Sequence, residues 1–233
     1  MDVWPPEFVS LSSGSARIVW RRSARARRIS LRIDLSDGTV VVTLPTRAGR
    51  EAGLALLRTH ADWVAERLAA LPDSLPFVEG SLIPIAGVAH RIRHRADTRG
   101  AAWLEGGELH VTGDPAFIGR RVRDFLQAEA RRRLIGLIAP KATRVGRTPS
   151  RVTVKDTSSR WGSCSATGAL AFSWRLVMAP EFVQDYVAGH EVAHLRHMNH
   201  RPEFWSLVAE LTPHTAKAVP WLRQEGPRLL RAG

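Results

Sequence analysis

Residues 190 to 200 read HEVAHLRHMNH, four imidazoles and one carboxylate in eleven residues. This run constrains the fold more than any other stretch, because as a site it must begin as a helix and end in a bend. On a helix, residues four apart share a face, so His190 and His194 present two ring nitrogens to one ion. Glu191 is turned by about 100° from His190, which leaves its carboxylate beside the ion, placed to take a proton from a coordinated water without becoming a ligand. Hydrolytic zinc requires three protein ligands and one open position.

Two histidines compete for the third position. His197 shares a face with His194 but lies about 10 Å along the axis from His190 at 1.5 Å per residue, too far for one small ion. His200 escapes this difficulty if the helix stops at Met198 and Asn199, since asparagine tolerates the left-handed conformation that reverses a chain. Pro202 supports a break there. The spacing therefore assigns His190, His194 and His200 as ligands and Glu191 as catalytic base, with His197 beside the site or on the surface. Zinc is the natural ion for imidazoles, although cobalt and nickel suit the same nitrogens. The expected chemistry is hydrolysis, in which Glu191 accepts a proton and hands it to the departing amine. Arg160 and His197 are candidates for a further oxyanion donor or a substrate contact.

The rest of the chain reads as scaffold. Apolar residues alternate at Ile29, Leu31, Ile33 and at Val40, Val42, Leu44, as in half-buried strands, with a turn at Asp37 and Gly38. Residues 47 to 71 carry one apolar helical face that ends at Pro72. A second β stretch runs from Phe77 to Arg95 and on to a hairpin turning at Gly106 and Gly107. Asp114 and Pro115 predict the start of a helix that reaches about Pro140, and Thr148 to Ser150 a linker. Three short strands follow, broken at 157 to 159 and at 166 to 168. A helix beginning with Pro180 at its first position carries the histidines, and two more, from about Pro202 and about His214, close the chain. No internal repeat is evident.

Composition bears on partners and compartment. The chain has 233 residues, 34 basic and 22 acidic, for a formal charge of +12. Nearly all the basic charge is arginine, because Lys141, Lys155 and Lys217 are the only lysines. A GC-rich codon bias explains that as readily as phosphate contacts do, so nucleic acid stays open as a partner. Seven arginines between Arg17 and Arg32 lie largely on strand-like sequence, where a solvated sheet face is favoured over a docking surface. No apolar run is long enough to span a membrane, and MDVWPPEFVS lacks the character of an export signal. A cytoplasmic location is expected, and the single Cys164 agrees with it. Cys164 reads as a small buried residue, and Trp161, Trp174 and Trp205 as packing around the active helix.

Beyond the short motif, SRWGSCS, LAFSWRLVMAP and DYVAGHEVAHLRHMNHRPEFW, covering residues 155 to 205, resemble the YgjP-like metallopeptidases, relatives of the SprT-like and Spartan proteases. The upstream stretches RRSARARRISLRI, VTLP and HADWVAERL look like that family's N-terminal part. The resemblance implies a zinc-dependent peptidase in which His190, His194 and His200 match the ligand positions and Glu191 the catalytic one. Where that family has HEL this chain has HEV, one apolar residue for another. The Spartan group digests proteins attached to DNA, an analogy the positive charge invites.

These readings combine into an α+β protein. Residues 148 to 233 are expected to form a zincin-type, SprT-like core with the HExxH helix and a small antiparallel sheet. Residues 1 to 147 are expected to form a β-rich accessory region with two helices. The expected function is zinc-dependent hydrolysis of polypeptides. The rivals are a nucleic-acid-associated basic protein with a structural metal, and a metallohydrolase of small amides.

Overall fold

The computed structural model describes residues 4–11, 14–96, 98, 100–157 and 160–233. The chain divides into two compact units, Met1–Asp73 and Ser74–Gly233. In the first unit, alternation along β2 (Gly14–Ser23) and β4 (Val40–Pro45) sends Ala16, Ile18, Trp20, Val40, Val42 and Leu44 into one core. With β1 (Glu7–Leu11) and β3 (Ser30–Ile33) they form a sheet of order β1-β2-β4-β3, in which β2 and β4 run parallel and both edge pairs are antiparallel. Helices α1 (Arg50–Thr59) and α2 (Ala61–Ala69) complete the unit through Leu57 and Val64.

Two expectations change here. The helix expected over 47 to 71 is interrupted at His60, which ends α1 and begins α2. The Thr59 hydroxyl donates back to the Ala55 carbonyl, a bond that bends helices. The arginine cluster is also not one strand face, because Arg25, Arg27 and Arg28 lie in the connection between β2 and β3. Arg17 is matched by Asp37 and Arg32 by Asp34, as a solvated face would have it.

The second unit opens with β5 (Leu82–Ile85), β6 (Val88–Arg95), β7 (Ala102–Glu105) and β8 (Glu108–Thr112), in the order β5-β6-β8-β7 with β6 and β8 parallel. This is the topology of the first sheet repeated, a relation that the sequence hides because the two share only alternation. A 3-10 turn capped by Asp114 leads into α3 (Ile118–Val145). Pro140, expected to end this helix, lies inside it. The proline costs about 3 kcal/mol, but beyond it Ala142 and Val145 stay buried, and the Lys141 ammonium reaches the Leu211 carbonyl at 2.8 Å and Asp185 at 2.7 Å. The helix stops at Gly146, which takes the left-handed conformation at φ 69° that glycine adopts without a side-chain clash.

The third sheet, β9 (Arg151–Lys155), β10 (Gly162–Cys164) and β11 (Ala169–Ser173), has the order β10-β11-β9. It is mixed rather than antiparallel, since β9 and β11 run parallel and only the β10–β11 hairpin reverses. Helix α4 (Glu181–Ala193) follows a 3-10 turn over Trp174–Met178, with Pro180 as its cap rather than its first residue. Helices α5 (Pro202–Leu211), α6 (Thr215–Gln224) and a short α7 (Gly226–Leu230) end the chain.

The boundary expected between residues 147 and 148 falls inside this second unit. Its core runs continuously from Leu75 to Ala232 and includes α3, α4 and β11. Leu75 also exchanges backbone hydrogen bonds with Arg231 and Gly233, so the two ends of the unit are tied together. Among the described residues, no helix is long and apolar enough to cross a membrane.

Candidate metal centre

Helix α4 is fixed before it reaches the histidines. The Gln184 side chain, buried, donates to the carbonyls of Val177 and Ala179 at 3.3 and 2.7 Å. The Thr212 hydroxyl donates to Asp185 at 2.5 Å, and the other Asp185 oxygen holds Lys141. These bonds join α3, α4 and the end of α5, so the register of α4 is set from three sides. The peptide N–H groups of Ala86 and Gly87, in the β5–β6 turn, bond to the carbonyls of Val177 and Met178 just upstream.

At the other end of α4, the side-chain nitrogens of His190, His194 and His200 lie within 4.8 Å of one another. The Nε2 atoms of His190 and His200 are 3.3 Å apart. Two ligands of a tetrahedral zinc, with bonds of 2.0–2.1 Å, lie about 3.3 Å apart, so the spacing fits an ion. His194 Nδ1 lies 2.9 Å from the His197 carbonyl. A carbonyl only accepts, so that nitrogen carries the proton and Nε2 is left bare, the arrangement that orients a metal-binding histidine. His190 Nδ1 is buried and has no hydrogen-bond partner among the described residues, which leaves its Nε2 as the atom that faces a neighbour. Burial, with the nearby His194 and His200, depresses the His190 pKa to about 4, and burial lowers that of His194. Both rings are therefore neutral near pH 7, as cation ligands must be.

The bend that brings His200 back is not the one expected. The helix ends at Ala193, and Leu195 and Arg196 make tightened bonds to Val192 and Ala193. Asn199 does not take the left-handed conformation, since Ala86 is the only non-glycine residue with positive φ among the described residues. Its side chain instead accepts from the Arg201 N–H at 3.2 Å. Pro202 then starts α5, whose Phe204 is fully buried and stacks on His194 with ring centroids 4.5 Å apart. Trp205, expected in the core, is 43% exposed. Its ring lies instead beside His190 and His200, with centroids 5.8 and 5.6 Å away. Trp174 is fully buried as expected, and Trp161 is half-buried.

Glu191, the residue after His190, is buried at 6% exposed. Burial raises its pKa to about 7, with the Arg160 charge acting in the opposite direction. Arg160 itself is exposed, and its carbonyl accepts from the Thr157 hydroxyl. His197 contributes its backbone carbonyl, a contact invisible to side-chain spacing. Cys164 is half-buried, and burial, then the Glu191 charge, raises its pKa.

One more residue stands at this site. Gly162 on β10 lies over Glu191, and a Cβ there would stand 2.5 Å from Cγ, 2.7 Å from Oε1 and 2.9 Å from Cδ of Glu191. Because the carboxylate is buried, it must move to admit a methyl group. If Glu191 is the base that the spacing assigns, Gly162→Ala is expected to lower kcat about 100-fold, the cost of displacing a reacting group by about 1 Å, with metal content unchanged. Steady-state kinetics beside metal analysis check this, and a variant with wild-type kcat would show that β10 does not set the carboxylate.

The model of the YgjP-like metallopeptidase domain matches residues 27–225. The chain belongs to that family. The matched span takes in the three histidines, Glu191 and Gly162, and reaches back into the first unit. The family supports a metal-dependent peptidase, hence a hydrolase with polypeptide substrates. No curated protein and no solved structure matched the chain.

Proposed function

We propose that this protein is a zinc-dependent peptidase in which His190, His194 and His200 hold the ion and Glu191 is the general base. The observation that carries this reading is the 3.3 Å separation of the His190 and His200 ring nitrogens, with His194 completing the cluster. When bound, zinc polarises a carbonyl and acidifies water. Glu191, one residue along α4 from a ligand, accepts the proton of the attacking water and delivers it to the departing nitrogen. A carboxyl that titrates near neutrality suits both transfers, and its enclosure beneath Gly162 keeps it from bulk solvent.

The edge strand β10 supports a mode of substrate binding. Among the described residues it pairs with β11 alone, and an extended chain added to its other side would be held by main-chain hydrogen bonds next to Glu191. Such pairing gives affinity with broad sequence selectivity. Arg160, whose charge reaches Glu191, is the candidate for stabilising negative charge on the reacting carbonyl.

The purified protein is expected to carry about one zinc and to digest an unfolded protein such as reduced casein. A chelator should abolish both properties, and added zinc should restore them. Stoichiometric zinc without proteolysis, under conditions where short amides are cleaved, would redirect the reading to small substrates. Absence of zinc from protein loaded with an excess of the metal would overturn it.

A further inference from the structure

The sheet of the first unit leaves β3 as an open edge, bonded to β4 and to no other strand among the described residues. The Asp34 N–H donates to the Thr39 carbonyl on the β4 side at 2.8 Å. Peptide groups along a strand face alternate sides, so the N–H and C=O of Leu31 and Ile33 face outward, away from β4. Edge strands commonly protect themselves with a charge. The one charge on β3, Arg32, is taken up by Asp34.

Beside this edge runs a groove of about 500 Å3 lined by Ile29, Leu31, Leu56 and Trp63, with Arg28 and His60 at its margin and no carboxylate. Trp63 is 40% exposed within it, so part of its ring is open to a ligand. Immediately before β3, Arg25, Arg27 and Arg28 are exposed. None of them enters an ion pair among the described residues, whereas Arg17, Arg32 and Arg50 of the same unit each do. An open edge, an apolar groove and an unneutralised cationic margin therefore coincide on one surface.

We propose that this surface docks an extended, acidic polypeptide segment. The segment adds as a strand to β3, bonding through its main chain to Leu31 and Ile33. One of its apolar side chains enters the groove against Leu56 and Trp63, and its carboxylates face Arg27 and Arg28. Each part of the surface answers one part of such a ligand, as strand-addition sites do. Nucleic acid could neutralise the arginines, but it has no peptide groups for the strand edge and offers phosphates to an apolar groove. The inference is independent of the peptidase reading and assigns a role to the first unit.

The test uses the full chain carrying Glu191→Gln, so that the probe is not cut. The probe is a fluorescein-labelled peptide of about ten residues, enough to span a strand, alternating Val or Leu with Asp or Glu, and binding is read by anisotropy. Binding is expected to be saturable. Alternate N-methylation of the probe, replacement of its acids by lysine, Trp63→Ala and the double variant Arg27→Glu/Arg28→Glu should each weaken it about tenfold or more. The arginine variant alters only exposed turn residues, and melting curves check that Trp63→Ala is folded. Lack of saturable binding would overturn the proposal, as would equal affinity for the N-methylated probe. So would a single-stranded oligonucleotide of about twenty bases that binds more tightly than the peptide and is lost with the same arginines.

Discussion

Glu191→Gln is expected to keep the full zinc content of the wild type and to lose peptide cleavage by a factor of about 10²–10⁴, the usual contribution of a positioned acid or base. The amide has the shape of the carboxyl it replaces, so it fits beneath Gly162, where the clearance around Cγ and Cδ leaves no room for a larger group. What it lacks is a site that can bind and release a proton. The loss should fall on kcat with KM nearly unchanged, since proton transfer matters in the transition state and not in the bound ground state. Kinetics on a quenched peptide, run beside elemental analysis of the same preparation, read both quantities. Full activity in this variant would remove Glu191 from the mechanism, and loss of the metal would make it a ligand.

The clustering of the three histidines was legible in the sequence, because local spacing determines that geometry. A helix fixes which face His190 and His194 share, and a proline two residues after His200 fixes where the next helix begins, so three histidines from one short run could be placed from residue order alone. The spacing also disfavoured His197, whose ring does not join the cluster. Where tertiary packing decides, the sequence was mute. Nothing local distinguishes Gly162 from a turn glycine, because its constraint is Glu191, which lies far along the chain. Pro140 reads as a helix end until the burial beyond it is known. Asn199 reads as the reversal, although the chain reverses through tightened turns just after Ala193.

The same distinction holds for the fold. Alternation and turn residues located most strands, and the hairpin at Gly106 and Gly107 follows from its two glycines. Parallel pairing has no local signature, so the neighbours β2 and β4, β6 and β8, and β9 and β11 could not be matched from sequence. The repeated order of the two four-stranded sheets was hidden for that reason. So was the division of the chain at Asp73, since α3 belongs with α4 only by virtue of their buried contact.

His194→Ala is expected to lose most of the bound zinc, because two imidazoles remain where a hydrolytic site requires three protein ligands. The substitution also removes the ring that Phe204 stacks on, so a stability loss from packing must be separated from loss of the metal. Melting with and without zinc makes that separation. Free zinc at about 100 times Kd stabilises a binding-competent fold by about 2.7 kcal/mol, equivalent to about 5–11 °C for a domain of 150–250 residues. The wild type should show that rise. His194→Ala should melt at one temperature in both conditions, below metal-free wild type by whatever the packing contributes. A variant that retained both the zinc-dependent rise and stoichiometric metal would require ligands other than this cluster. A fall in metal-free stability cannot imitate a vanished zinc response, so the two results together assign His194 to the ion and not only to Phe204.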